Sequence, residues 1–141
     1  MEKCAGGYFM IYLSLGTNLG DKRKNLEEAI GHLKGFCQIV RCSSVIETEP
    51  CGFVSENKFM NMCVAVTSEL SPLELLDATQ EVERIMGRKT KSVNGEYHDR
   101  IIDIDIIEYD GIKIDTPRLT LPHPRAYERD FVTIPLNEIK L

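Results

Sequence analysis

The chain has 141 residues, a hydrophobic fraction of 43% and a formal net charge of −5. This length suits one domain with a real core, so residues 1–141 are expected to form a single domain. The acidic balance argues against a nucleic-acid surface, and no apolar stretch approaches the ~18 residues that a membrane span needs. The five cysteines, which include no C-x-x-C pair, indicate reduced thiols in a cytoplasmic protein.

A strand, a helix and two further strands are predicted in the first half of the chain. The apolar run at residues 8–15 predicts a buried strand, and the cluster at 16–21 predicts a turn. Asp21 can cap a helix whose apolar residues share one face. Residues 36–48 predict a second strand, and residues 59–67 predict a third whose side chains alternate between two faces.

The second half is predicted to begin with a helix. The segment SPLE at 71–74 has the pattern of a helix N-terminus, and the polar residues 88–99 predict a mobile loop. Residues 100–109 predict a strand, Asp110-Gly111 predicts the tight turn of a hairpin, and the Pro-rich tail predicts at most one short helix. This mixture favours an α+β fold with a mostly antiparallel sheet and helices on both faces.

Asp103 and Asp105 interrupt a strand that is otherwise rich in isoleucine. Because side chains alternate along a strand, both carboxylates are predicted on one face together with Ile101, Ile107 and Tyr109, with their Cα atoms about 6.5–7 Å apart. Two unpaired anions at that distance repel each other and lose hydration if buried. Two interpretations stay open: an acidic face in water or paired with Arg or Lys, and a divalent metal site.

Basic residues cluster near this strand although the whole chain is acidic. A site for a polyanionic small molecule would explain the cluster, and scattered solvated charge is the alternative. The residues concerned are Arg84, Arg88, Lys89, Lys91 and Arg100, with Arg118, Arg125 and Arg129 in the tail.

Several motifs in this order give the chain a resemblance to a known family. They are LGTNLGD at 15–21, ETEPCG at 47–52, FMN at 59–61, QEVE at 80–83, RIIDIDII at 100–107 and RLTLPHPRAYERDFV at 118–132. Together they resemble the 6-hydroxymethyl-7,8-dihydropterin pyrophosphokinases of folate synthesis, from Tyr8 to about Glu138. The resemblance implies a ferredoxin-like fold and transfer of diphosphate from ATP to a pterin hydroxymethyl group, with AMP as the other product.

The resemblance also assigns roles to individual residues. It implies two Mg²⁺ ions held by Asp103 and Asp105, with Arg88 and Arg100 as further catalytic residues. It places Arg88, Lys91, Arg100, His123 and Arg129 at the phosphates, and Gln80, Glu83, Ile106, Arg118 and Thr120 at the base and ribose. It places the pterin between Phe59 and Phe131, in contact with Thr48, Cys51, Asn61, Tyr97 and Asp103. Without the resemblance, core packing would be the simpler role for either Phe, and a solvated helix face the simpler role for Gln80 and Glu83.

Departures from the family pattern lie in the loop before the aspartate strand. Where many members have Trp-Gly-Pro-Arg or a similar run, this chain has Tyr97-His98-Asp99-Arg100 in a longer loop. We expect Tyr97 to replace the aromatic residue, and Asp99 to lower the affinity for phosphate. Thr90 stands where a second loop arginine is frequent. The chain ends short of an extension that some members have, and we expect activity to be retained.

Two other classes of protein fit parts of the pattern. A non-catalytic ferredoxin-like nucleotide-binding module needs no acid pair, and calorimetry with ATP with and without Mg²⁺ would identify it. A two-metal nuclease or nucleotidyltransferase also uses paired aspartates, but the acidic chain offers no basic groove for a polymer. We expect a monomer with small-molecule substrates and neither nucleic-acid nor membrane partners.

Overall fold

A computed structural model of the chain describes residues 10–48, 58–87 and 101–140. Five strands form one sheet with the order β2-β4-β1-β5, in which β3 also pairs with β4 and all neighbours are antiparallel. Two crossover helices connect the strands in a βαββαβ arrangement. This is the predicted ferredoxin-like α+β fold. The elements are β1 (Ile11–Thr17), α1 (Lys22–Leu33), β2 (Gln38–Cys42), β3 (Ile46–Thr48), β4 (Phe59–Thr67), α2 (Pro72–Ile85) and β5 (Asp103–Tyr109).

Shorter elements follow β5 in the C-terminal part of the chain. The strands β6 (Ile114–Asp115) and β7 (Thr120–Leu121) pair with each other, and a 3₁₀ turn at Ala126–Glu128 precedes α3 (Asp130–Ile139). In the part of the chain that the structure describes, no helix is both long and apolar enough to cross a membrane.

The sheet separates two apolar clusters. The larger contains Leu13, Val64 and Ile104 on the sheet and Leu26 and Leu75 on the two crossover helices. The smaller lies under α3 and contains Tyr12, Cys63, Ala65, Ile107 and Leu136. Helices therefore cover both faces, as predicted, and the alternation of β4 between the two clusters is confirmed.

The predicted starts of the two crossover helices are confirmed by their capping bonds. The Asp21 carboxylate accepts from the Lys24 backbone N–H at 3.1 Å. At the start of α2, Ser71 Oγ accepts from the Glu74 N–H at 3.3 Å, and the Glu74 carboxylate accepts from the Ser71 N–H at 2.9 Å. Each bond satisfies a backbone donor that has no partner inside its helix.

Two predicted boundaries in the first half are wrong. β1 extends to Thr17, so Gly16 lies inside a strand and not in a turn. The single strand predicted at 36–48 is divided at residues 43–45, which belong to no strand. The Ser44 N–H and hydroxyl both donate to the Glu138 carboxylate of α3, at 2.9 and 2.6 Å. Because Glu138 accepts the Ser44 N–H, this group is not available for sheet pairing, which accounts for the interruption.

β5 begins at Asp103, and the predicted alternation is correct only from Ile102 to Ile107, because Ile101, predicted on the aspartate face, packs against the larger cluster. Opposite β1, Tyr12 pairs with Glu108 and the next residue, Leu13, pairs with Ile106, so Ile107 is an extra residue. Such a bulge reverses the faces of the residues beyond it. Tyr109 therefore lies in the larger cluster, opposite to the prediction, and Glu108 reaches Lys140 of α3.

The turn at Asp110-Gly111 is confirmed, but the predicted hairpin is wrong. Both residues have positive φ, 50° and 71°, and the Ile112 N–H donates to the Tyr109 carbonyl at 2.8 Å. The chain then leaves β5, and β6 pairs with β7 instead. The ten residues of α3 exceed the short helix predicted for the tail, and Pro135 lies inside this helix among its buried residues.

Candidate active site

The predicted pterin and metal residues meet at one end of the sheet. Thr48 of β3 pairs with Phe59 of β4, and Gly16 of β1 lies between Asn61 of β4 and Asp103 of β5. The side chains of Phe59, Asn61 and Asp103 belong to the face that carries α3 farther along the strands. Neighbouring strands lie about 4.8 Å apart, so Asn61 and Asp103 are separated by two such spacings. Between them, Gly16 contributes no side chain.

Gly16 lies in the candidate site, and sequence reasoning did not name it. A Cβ at this position would lie 2.8 Å from Asn61 Oδ1 and 3.7 Å from Phe59 Cδ1. Only a residue without a side chain at position 16 therefore leaves space for the Asn61 amide beside the β1 backbone. The signal was present in the sequence, because a glycine inside a strand often marks a close approach of backbone or ligand.

The amide of Asn61 is held in a defined orientation. It is 4% exposed, and its Nδ2 donates to Thr48 Oγ1 at 2.8 Å. The amide can offer one further donor hydrogen and the acceptor capacity of Oδ1. The structure therefore brings two predicted pterin-contacting residues together as a fixed polar edge.

Phe59 and Phe131 are both half-buried. Phe59 follows the alternation of the α3-facing side of β4, and Phe131 packs against the smaller cluster in the first turn of α3. The Arg129 guanidinium carbon lies 5.7 Å from the centre of the Phe131 ring, within the range of a cation–π contact. An aromatic ring and a cation therefore lie side by side where α3 begins.

Asp103 and Asp105 are half-buried on the α3-facing side of β5, as predicted. They pair with Gly16 and Ser14 of β1, so the sheet fixes the backbone that carries them. Both make interactions within the protein. Among the described residues, no three His, Cys, Asp or Glu side chains converge on a point. A carboxylate pair is nevertheless a fitting donor set for Mg²⁺, which usually takes one or two carboxylates and completes its shell with water and phosphate oxygens.

Glu83 is buried, in contrast to the solvated position that its helix pattern allowed. It is 3% exposed, and its Oε2 accepts from the Ile104 N–H at 2.7 Å. Ile104 is the residue between the two aspartates, so the Glu83 carboxylate bonds to the backbone of the strand that carries them. Gln80, one turn earlier on α2, is exposed.

The remaining residues predicted for the nucleotide lie around α2 and β7. Arg118 forms an exposed ion pair with Asp77 of α2, and Thr120 is half-buried on β7. Ile106 is 3% exposed in the larger cluster, so its side chain offers little surface to a ligand. The structure thus brings Arg118 next to α2 but places Ile106 inside the core.

The backbone of His123 bonds to β5, and a hydrogen bond accepted by its ring orients the imidazole. Its N–H donates to the Ile107 carbonyl at 2.9 Å, and its Nδ1 accepts from the Arg125 N–H at 3.2 Å. A neutral imidazole that accepts at Nδ1 carries its proton on Nε2. The ring can therefore donate a hydrogen bond through Nε2 without being charged.

Five of the predicted site residues lie outside the described residues: Cys51, Arg88, Lys91, Tyr97 and Arg100. The predicted mobile loop at 88–99 and the predicted effects of Thr90 and Asp99 lie outside them as well.

Three of the cysteines lie within the described residues, and all are free thiols. Burial raises the pKa of Cys63 to about 12 and that of Cys37 to about 11. Both are therefore protonated at neutral pH and are poor nucleophiles. Cys63, buried beneath α3, is therefore a packing residue.

Comparison with known proteins identifies the family. A family model described as 7,8-dihydro-6-hydroxymethylpterin-pyrophosphokinase (HPPK) matches residues 12–141. A 2-amino-4-hydroxy-6-hydroxymethyldihydropteridine pyrophosphokinase of Porphyromonas gingivalis is 46% identical over 132 residues, which cover 92% of this chain and 90% of that protein. The Bacillus subtilis protein of the same name is 39% identical over 130 residues, 91% of this chain and 76% of that one.

A solved structure supports the fold independently. The Plasmodium falciparum HPPK-DHPS structure with pteroate has a TM-score of 0.70 and 17% identity, over 92% of this chain and 38% of that chain. Fold and matches together define the class, an ATP-dependent diphosphotransferase with a ferredoxin-like fold. The chain belongs to the 7,8-dihydro-6-hydroxymethylpterin-pyrophosphokinase family, which decides against the binding-module and nuclease alternatives.

Proposed function

We propose that this chain transfers diphosphate from ATP to the hydroxymethyl group of 6-hydroxymethyl-7,8-dihydropterin, a step of folate biosynthesis. The observation that carries the proposal is the row across one end of the sheet, where Asn61, Gly16 and Asp103 lie side by side. This row brings the fixed amide of Asn61, which we propose as the edge that binds the ring, within two strand spacings of the carboxylate pair. Family membership supports the reaction.

The pterin is proposed to lie above Gly16 between Phe59 and Phe131. A flat heterocycle favours aromatic faces together with a few fixed donors and acceptors. Asn61, held by Thr48, would supply one polar edge. By motif, Cys51 and Tyr97 would complete the pocket.

Asp103 and Asp105 are proposed to hold two Mg²⁺ ions between the protein and the triphosphate. When bound, Mg²⁺ would neutralise phosphate charge and stabilise the charge that develops on the transferred group. The two aspartates share one rigid strand, so they would hold the phosphates in a fixed position relative to the pterin alcohol. Positioning and electrostatics are expected to supply most of the acceleration, since no strong general base stands out among the predicted site residues.

The nucleotide is proposed to lie toward α2 and β7. Gln80, Arg118 and Thr120 would contact the base and ribose, and the buried Glu83 and Ile106 would act through the backbone of β5. His123 would donate from Nε2 to a phosphate oxygen, and Arg129 would pair with phosphate charge. By motif, Arg88, Lys91 and Arg100 would add further phosphate contacts.

Separating the nucleotide products of the reaction tests this function. The pterin hydroxyl is proposed to attack the β-phosphorus of ATP, forming a new P–O bond while the bond to the α-phosphate oxygen breaks and AMP leaves. Chromatography should give one AMP for each diphosphorylated pterin. Stoichiometric ADP would show γ-phosphoryl transfer and refute the assignment.

We further propose that residues 1–141 act as one domain, as a monomer and in the cytoplasm. The free thiols among the described residues support a reducing compartment. Light scattering on the purified chain, with and without both substrates, tests the oligomeric state, and a dimer in either condition would contradict it.

A further inference from the structure

We propose that Glu83 is a positioning residue that fixes the directions of Asp103 and Asp105 by holding the backbone between them. The proposal rests on the metal site proposed above. It gives Glu83 a role in presenting the carboxylates to Mg²⁺, in place of direct contact with the nucleotide.

The placement of Glu83 leaves its carboxylate little freedom. It lies in the C-terminal half of α2, is 3% exposed, and accepts from the Ile104 N–H at 2.7 Å. Leu75, Thr79 and Val82 are buried on the same helix. Since they hold that helix face against the sheet, α2 cannot rotate to withdraw the carboxylate without exposing them.

The bond falls on the one side of β5 that the sheet leaves open. β5 is the outermost strand on the described path, and Asp103 and Asp105 pair with Gly16 and Ser14 on its inner side. Along an antiparallel strand, backbone groups alternate between the partner and the opposite edge. Ile104 lies opposite Leu15 in this register, and its N–H points to the outer edge, because it donates to Glu83 of α2.

Holding this N–H fixes the peptide plane between Asp103 and Ile104. The side chains at 103 and 105 leave the strand on the face opposite to Ile104, so a tilt of that plane changes the angle between the two carboxylates. Metal sites tolerate displacements of only ~0.5 Å. Glu83 therefore fixes the directions of the two aspartates by holding the backbone of the strand that carries them.

Two substitutions separate the effect of side-chain length from the effect of side-chain charge. Glu83→Gln keeps the length of the side chain and an acceptor oxygen but removes the charge. Glu83→Asp keeps the charge but withdraws the oxygen by one methylene. A positioning role predicts that Glu83→Gln retains much more function than Glu83→Asp, and that Glu83→Ala resembles Glu83→Asp.

Three measurements read out the effect on the complete chain. Calorimetry gives Mg²⁺ binding in the presence of a nonhydrolysable ATP analogue, and steady-state kinetics give the Mg²⁺ dependence of kcat and the KM for the pterin. The ¹⁵N–¹H NMR signal of Ile104 reports its hydrogen bond without any ligand. For Glu83→Asp we expect weaker Mg²⁺ binding by roughly 10- to 100-fold, as for other groups behind a metal ligand, an unchanged KM for the pterin, and an upfield Ile104 amide proton.

Several outcomes would overturn the proposal. One is a Glu83→Asp variant that outperforms Glu83→Gln, because charge and not reach would then matter. Another is a change in ATP affinity measured without Mg²⁺, with the Mg²⁺ response intact, which would indicate direct nucleotide contact. If Glu83→Ala does not fold, the Gln and Asp variants still decide, and thermal unfolding shows which variants can be compared.

Controls distinguish this proposal from the proposed function itself. Glu81→Gln alters an exposed carboxylate on the same helix that pairs with Arg84, and it should change neither Mg²⁺ binding nor the Ile104 signal. Asp103→Asn tests the metal site directly. If Asp103→Asn keeps normal Mg²⁺-dependent turnover, the metal site is wrong, whereas loss in Asp103→Asn with an unaltered Glu83→Asp refutes only the positioning role.

Discussion

The side of the sheet that faces α3 has two ends with opposite characters. At one end, Ala65 and Ile107 of the sheet are buried against Leu136 and the other apolar residues of α3. At the other, beyond the start of α3, the same strands present Asn61 and the half-buried Asp103. The backbone alternation is the same at both ends, so what differs is the residue type and whether a helix lies above. One continuous sheet face can therefore supply stability at one end and binding chemistry at the other.

The largest effect is expected at the polar end. Asp103→Asn and Asp105→Asn should each lower turnover by at least about 100-fold, because each removes a charged ligand for Mg²⁺. This loss exceeds the usual effect of replacing a residue that contacts a metal ligand but not the metal. Turnover over a Mg²⁺ series, together with thermal unfolding, provides the measurement. Asp110→Asn is the matched control, since it alters another aspartate next to β5 at a position with φ of 50°, which asparagine tolerates. Native stability together with full activity in either site variant would contradict the assignment.

At the covered end, the loss should be one of stability. Leu136 is 1% exposed, and Leu136→Ala should lower the free energy of unfolding by about 2–5 kcal/mol through lost burial and a cavity. Denaturant unfolding measures this change. The KM for the pterin, measured on the folded fraction, should stay unchanged, and a large rise would show that the two ends are coupled.

Substitution of Gly16 tests whether this residue contributes to the polar end of the sheet face. Gly16→Ala should raise the KM for the pterin by roughly tenfold, equivalent to one disturbed hydrogen bond, because its Cβ would displace Asn61 Oδ1 from 2.8 Å. Gly31→Ala is the matched control: it lies on α1 with no atom within 4 Å of its Cβ position. The control should be neutral or slightly stabilising. Equal KM values for the two variants would remove Gly16 from the site.

The smallest effect concerns the contact between α3 and the interruption at residues 43–45. Two hydrogen bonds from Ser44 lower the pKa of Glu138 from its usual 4.5. A carboxyl with a lowered folded-state pKa contributes stability above its unfolded pKa, and this contribution is lost as the pH falls through the folded value. Between about pH 5 and 3, the wild type should therefore lose more stability than Glu138→Gln. Unfolding at a pH series checks this, with the exposed Glu69→Gln as control, and parallel curves for wild type and Glu138→Gln would contradict it.

Local patterns in the sequence predicted those features that depend on local chemistry. The capping box at Ser71 and Glu74 and the shared face of Asp103 and Asp105 follow from the chemistry and spacing of neighbouring residues. The arrangement of Phe59 and Asn61 on one face of β4 follows from the same alternation. The family resemblance added the ferredoxin-like fold and the roles of the individual site residues.

Features that depend on distant partners were not predictable in this way. The bulge at Ile107 exists only in the pairing with β1. The burial of Glu83 depends on a bond to a residue 21 positions away. α3 contains Pro135, whose low helix propensity is outweighed by packing against the sheet.

The extra residue in β5 also has a use beyond the strand. Its carbonyl accepts the backbone N–H of His123, so the segment that carries the imidazole is joined to the sheet where regular pairing fails. A single-residue deletion at Ile107 would restore regular pairing and leave Glu108 opposite Tyr12, but it would remove a buried side chain from the smaller cluster and this attachment point. Insertions and deletions in the second half of β5 should therefore be far less tolerated than substitutions there, although this part of the strand carries no proposed ligand.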